Sequence, residues 1–230
     1  MESIRRRSRI PLLVGEGGRG SLRPVTLGQD GRQNCALSLV RKKARQILKE
    51  EIIMMIRNHT VLIIVDVQGN LAQLIDNKDI VCENIRKVIR GCRVMEIPMI
   101  LTEQVNLGPT IPEITDLMPD VSPIIKESFS CCGNPEFMAT LATYKRKQVL
   151  IAGIETHVCV YNTARELVAL GYEVHIVADA VSSRTAMNRE IALQKMKDHG
   201  VAWTSTEMVL FELLKTAADP KLRDIIRIVK

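Results

Sequence analysis

Gln148–Arg184 reads QVLIAGIETHVCVYNTARELVALGYEVHIVADAVSSR. An apolar run, Val149 to Ile154, is followed by a short polar turn. Cys159 lies just beyond that turn, at the start of a stretch with helical spacing that Gly171 closes, and a second apolar run spans Val174 to Ala178. Continuous β-branched and apolar runs of this length are what a strand buried on both faces requires, and glycine is the usual residue past a helix C-terminus. The stretch therefore predicts strand, turn, helix and strand, with a cysteine at the turn.

The same alternation extends on both sides. Val61–Val65, Pro98–Leu101, Pro123–Ile125 and Val201–Thr204 read as further strands. Helical spacing covers Asp79–Glu96, Glu136–Tyr144, Ala186–His199 and Glu207–Lys215, and a last helix follows Asp219-Pro220 to about Ile228. In the first of these helices Ile80, Ile85, Val88, Ile89, Cys92 and Met95 are expected to share a stripe. Six strands alternating with helices predict an α/β fold, a three-layer αβα sandwich around a parallel sheet.

In an open parallel sheet, ligands sit beyond the carboxyl ends of the strands. Asp66, Lys126 and Cys159 fall at three such ends, which sequence distance separates and topology collects. Cysteine attacks as the thiolate, which a helix N-terminus and a nearby ammonium both favour. Asp66 has the chemistry to take the thiol proton and return it to a leaving group, and amides of the turn can hold an oxyanion. Around the same rim Gln68 lines the site, orients Asp66 or shapes a turn, Gln104 can reach a polar ligand, and Phe129 either covers the pocket or packs in the core. His157, two residues before the cysteine, invites a Cys–His pairing.

Composition sets the outer limits. A chain that is 46% hydrophobic and 25% charged is an ordinary globular protein, and no apolar run approaches the ~20 residues of a membrane span. Six irregularly spaced cysteines (Cys35, Cys82, Cys92, Cys131, Cys132 and Cys159) form neither a disulfide framework nor a zinc pattern. A reducing cytoplasm and no metal or cofactor are the expectation. The vicinal pair Cys131-Cys132 reads as free thiols. Charge is uneven: residues 1–50 hold 12 Lys/Arg against 4 Asp/Glu, and residues 51–230 hold 20 against 22. The domain itself thus makes no electrostatic case for nucleic acid. We expect residues 1–54 to be a basic extension, disordered or wrongly assigned to the protein. A transit peptide or a nucleic-acid arm are the alternatives, and a basic helix over 36–53 is its one periodic segment. Residues 55–230 are expected to form the domain. Gly15-Glu16-Gly17-Gly18-Arg19-Gly20 matches a dinucleotide fingerprint in letters only, since Pro24, Gly28 and Gly31 break the helix it needs.

Several motifs in order carry a family resemblance. Val61–Gln68 (VLIIVDVQ), Gly153–Cys159 (GIETHVC) and Glu173–Arg184 (EVHIVADAVSSR) resemble the first strand, nucleophile turn and following loop of the isochorismatase-like cysteine hydrolases. Thr102–Gln104, Leu107–Glu113 and Lys126–Ser130 resemble the isochorismatase domain-containing subgroup in particular. The resemblance implies a sheet of order 3-2-1-4-5-6 and a catalytic triad of Asp66, Lys126 and Cys159. It also implies a cis peptide at Ile154–Glu155, with the amides of Glu155 and Cys159 facing the oxyanion. Homo-oligomers acting on small molecules are common in the family. Metal-dependent members carry histidines after the second strand, where this chain reads Thr102-Glu103-Gln104-Val105-Asn106-Leu107. The expectation is a metal-independent hydrolase of an amide or related C–N bond, through a thioester on Cys159. The alternatives are vinyl-ether hydrolysis with Asp66 as acid, and a non-catalytic thiol-sensing module.

Overall fold

The computed structural model describes residues 54–230. The glycine motif at Gly15–Gly20, the basic helix expected over 36–53 and the expected extension up to residue 53 lie outside the described residues. Six parallel strands form one sheet in the order β3-β2-β1-β4-β5-β6. They are β1 Thr60–Val65, β2 Met99–Gln104, β3 Ile124–Lys126, β4 Gln148–Ile154, β5 Glu173–Ser182 and β6 Ala202–Thr204. The helices are α1 Leu71–Leu74, α2 Lys78–Val94, α3 Pro112–Thr115, α4 Pro135–Thr143, α5 Tyr161–Ala169, α6 Ala186–Asp198, α7 Thr206–Leu214 and α8 Leu222–Val229.

Strand side chains alternate between faces, so β1 feeds two cores. Leu62 and Ile64 pack with Leu150, Ala152 and the inward faces of α2, α7 and α8. Val61, Ile63 and Val65 pack with Val149, Ile151 and residues of α4, α5 and α6. Both faces of the sheet are covered, which is why the central strands read as unbroken apolar runs rather than as alternating ones. Helix starts are set by side-chain caps. Asn134 accepts from the Phe137 amide at 3.0 Å with Pro135 at the first helical position, and Thr185 and Ser205 cap α6 and α7 in the same way.

Three sequence expectations need adjustment. Ile80 is exposed, and Val81 and Cys82 take the buried stripe of α2 instead; at 100° per residue Ile80 lies roughly 140° around the helix from Ile85. Strand β5 runs on past Ala178 to Ser182, because a register shift between Ile151 and Gly153 lets Val181 and Ser182 pair with Gly153 and Ile154. The helix expected from Val158 begins as a wide turn, Thr156–Val160, in which the Val160 amide donates to the Glu155 carbonyl at 3.3 Å before α5 takes over.

Gly153 sits where β1 and β4 approach most closely. Its φ is +126°, and a Cβ there would lie 2.2 Å from the Val65 carbonyl oxygen. Only glycine fits, so the end of β4 stays pressed against the end of β1, bringing the cysteine turn beside Asp66.

Candidate active site

Parallel pairing aligns the strand ends that carry the polar groups. Val65 pairs with Thr102 and with Gly153, and Gln104 pairs with Lys126. Asp66, at φ +50°, leaves β1 at this rim with 1% of its surface exposed. Its carboxylate is fully engaged: Oδ1 accepts from Thr102 Oγ1 at 2.8 Å, and Oδ2 accepts from Lys126 Nζ at 2.7 Å. Lys126 spends its other N–H groups on Gln104 Oε1 at 2.7 Å and the Ser128 carbonyl at 3.2 Å. Burial works against the Lys126 ammonium, but the Asp66 carboxylate more than offsets it and holds the lysine pKa above its ordinary value.

Cys159 Sγ lies 4.0 Å from Gln104 Oε1, the same oxygen that accepts from Lys126. Burial pushes the Cys159 thiol up to about 12, the Asp66 charge adds to this, and Lys126 pulls in the opposite direction without prevailing. Desolvation and the adjacent carboxylate outweigh the ammonium, and the thiol pKa stays above its ordinary value.

A pocket of about 470 Å³ opens over this cluster. Asp66, Gln104, Phe129, Ile154, Glu155 and Cys159 line it together. Phe129 is 61% exposed, a pocket wall rather than a core aromatic. The Ile154–Glu155 peptide is cis. Glu155 Oε1 accepts from the backbone N and from Nε of Arg184, each at 3.1 Å, which ties the turn to the loop after β5.

Gln68 belongs elsewhere. It is fully buried; its Nε2 donates to the carbonyls of Gln104 and Gly108, and its Oε1 accepts from the Gln104 amide. Glu103 adds bonds to Thr110 N and Oγ1, both at 2.7 Å. Gln68 therefore braces the loop that supplies Val105, Asn106 and Leu107 to the pocket wall and does not line the pocket itself. His157 is turned away as well, with Nδ1 3.0 Å from Ser183 Oγ. Cys131 and Cys132 are both free thiols. Cys131 is buried behind the rim, 3.8 Å from Thr102 Oγ1.

Sequence reasoning missed Thr102 and Arg184. The step from apolar Met99–Leu101 to polar Thr102–Gln104 within β2 was the signal for Thr102. Arg184 closes the last family-like stretch, but nothing in its spacing pointed at a pocket.

Comparison with known proteins places the chain in a family. The Isochorismatase domain matches residues 60–208. The chain belongs to the isochorismatase family of hydrolases. It is 36% identical over 183 residues to the secreted isochorismatase effector Isc1 of Phytophthora sojae, spanning 76% of this chain and 87% of that protein. It is 37% identical over 168 residues to isochorismatase domain-containing protein 2 of Danio rerio, spanning 72% and 84%. Among solved structures, the MAR1 ribonuclease from Caenorhabditis elegans superposes with a TM-score of 0.72 at 31% identity, covering 76% of this chain and 91% of that one. As an isochorismatase-family member, the chain sits with the domain-containing subgroup that its TEQ and KESFS stretches suggested. Among the described residues no helix is long and apolar enough to cross a membrane.

Proposed function

We propose that this protein is a cysteine hydrolase that cleaves an amide or related C–N bond of a small molecule, with Asp66, Lys126 and Cys159 as its catalytic triad. One observation carries the reading: a buried carboxylate held in place by lysine and threonine shares a single pocket with a protonated thiol. Substrate binding displaces water and places a carbonyl carbon over Sγ. As Sγ attacks, its proton passes to Asp66, and negative charge gathers on the carbonyl oxygen, where the amides of Glu155 and Cys159 receive it. The tetrahedral species collapses as Asp66 returns the proton to the departing nitrogen, leaving a thioester on Cys159. Asp66 then deprotonates a water that attacks the thioester; the acid departs and the thiol regains its proton. Lys126, bonded to Asp66 Oδ2, keeps that side chain aimed as it takes and returns the proton. These steps use no metal, in keeping with the lack of histidine in Thr102–Leu107.

The protein would act as a homo-oligomer in a reducing, cytoplasmic setting, with residues 55–230 as the catalytic domain and residues 1–54 as an extension of it. RNA, the substrate that the name of the nematode protein points to, suits this pocket poorly: among the described residues Arg184 is the one cation of its lining, beside Asp66, Glu127 and Glu155.

Intact-protein mass spectrometry during turnover of a library of amides and carbamoyl compounds tests the mechanism. An acyl mass added at Cys159 is the expected result. Full turnover by Cys159→Ala would sink it. The name of the Phytophthora relative favours a second reading, protonation of a vinyl ether by Asp66. That reading predicts an active Cys159→Ala and an inactive Asp66→Asn.

A further inference from the structure

We infer that the outer face of α7, Thr206–Leu214, is a self-complementary interface at which two copies of this chain pair antiparallel about Phe211. The inference rests on the homo-oligomer reading above and names the face through which the copies meet.

Helix α7 is apolar on more than one side. Val209, Leu210, Leu213 and Leu214 are buried and pack into the core. Met208 and Phe211 point away from it and are 63% and 38% exposed. A helix with one buried stripe keeps its other side polar, and a helix that is apolar all round has neighbours all round. Beside Phe211 lies a hollow of about 180 Å³, walled by Phe211, Leu214, Lys215, Thr216, Ala217 and Leu222. The face therefore carries both a knob, Met208, and a hole, at Leu214.

Residues three and four apart share a helix face, so Glu207, Phe211 and Lys215 stand in one row, with Met208 and Leu214 alongside. Glu207 and Lys215 are exposed, and among the described residues neither makes an ion pair. On the other flank Glu212 is already taken by the Met55 amide at 2.6 Å.

This spacing selects the occupant. A two-fold axis crossing the helix at Phe211 sets each residue against the one equally far beyond Phe211 in the other copy. Glu207, four residues before Phe211, then meets Lys215, four after it. Met208, three before, meets Leu214, three after, and its flexible side chain enters the hollow. Each contact occurs twice, as an isologous interface requires. Shape and charge on the face are thus complementary to a second copy of the same face. A helix this short makes a small interface, so the pairing weakens on dilution.

Sedimentation velocity on the full chain, at low and high micromolar protein, reads the assembled mass, and melting curves confirm that each variant is folded. Met208→Gln keeps the length of the knob but makes it polar, and should weaken association by about tenfold or more. Glu207→Lys and Lys215→Glu each set like charges across the axis. Each alone should weaken association by about tenfold, and less in high salt. An equimolar mixture of the two should associate as the parent does, because every lysine of the row then meets a glutamate. Mixing cannot repair a folding defect, so weakening by Met208→Gln together with recovery on mixing supports the inference. An unchanged assembly in Met208→Gln, charge variants that associate as the parent does, or no recovery on mixing overturns it and leaves the homo-oligomer reading standing. A parent chain that is monomeric at every concentration overturns both.

Discussion

Lys126 Nζ lies 2.7 Å from Asp66 Oδ2, with 0% and 1% of the two side chains exposed. A pair this deeply sealed has given up all its hydration, so each charge depends on the other. Lys126→Met leaves the carboxylate buried and unmatched, and the loss should be about 3–5 kcal/mol in urea or thermal unfolding. Adding Asp66→Asn removes the orphaned charge, and the double variant should recover most of that stability while remaining inactive. A single Lys126→Met variant as stable as the parent would show that the pair is not buried as described.

The thiol of Cys159 sits at about 12, and the sign of its pH dependence follows. Below that value the thiolate fraction rises tenfold per pH unit. Alkylation of Cys159 by iodoacetamide, followed by peptide mass spectrometry, should therefore climb log-linearly from pH 7 to 9.5. A plateau near pH 8 would mean that the resting site holds a thiolate after all. Turnover should not share this profile, since Asp66 receives the proton within the step.

Gln68 places three hydrogen bonds across the base of the Val105–Thr110 loop. Gln68→Ala strands the Gln104 amide and the Gly108 carbonyl, at a cost of about 1–3 kcal/mol. The affected backbone is local. Amide exchange should quicken at Val105–Thr110 well before the core strands respond, and KM should rise more than kcat falls. Uniformly faster exchange throughout the chain would instead make Gln68 a general core residue.

Gly153→Ala drives a methyl group to 2.2 Å from the Val65 carbonyl oxygen at a φ of +126°. Backbone on both sides leaves no flexible group to yield. We expect a loss of several kcal/mol or no soluble protein. Gly171→Ala, also at positive φ (+83°) but with open space around it, should cost clearly less; equal losses at both positions would show that the approach of β1 to β4 is not what demands glycine.

Much of the architecture was legible because local chemistry and global fold agree. Apolar runs such as Val61–Val65 and Val149–Ile154 are long enough for a doubly covered strand and too short for most helices, and capping residues such as Asn134-Pro135 mark helix starts in plain letters. The errors fall where a distant strand decides. Ser182 extends β5 because of a register shift in β4, and no residue near Ser182 announces it. Gln68 and Phe129 illustrate the same limit for side chains. Both follow or flank a strand end, yet one is wholly buried against backbone and the other is 61% exposed on the pocket wall.

The order of residues along the chain was enough to place Asp66, Lys126 and Cys159 at one rim, because parallel strands joined by helices bring every carboxyl end to the same side. It was also enough to frame the chemistry proposed for those three groups. Their protonation and their company were decided only in three dimensions. Desolvation and the neighbouring carboxylate, both products of packing, keep the thiol protonated where a helix terminus and a lysine had argued for a thiolate. Arg184 lines the pocket while bonded to Glu155 across the turn, a contact between residues 29 apart in sequence. Electrostatic energies depend on distance and burial, and neither quantity is written in a sequence until the chain has folded.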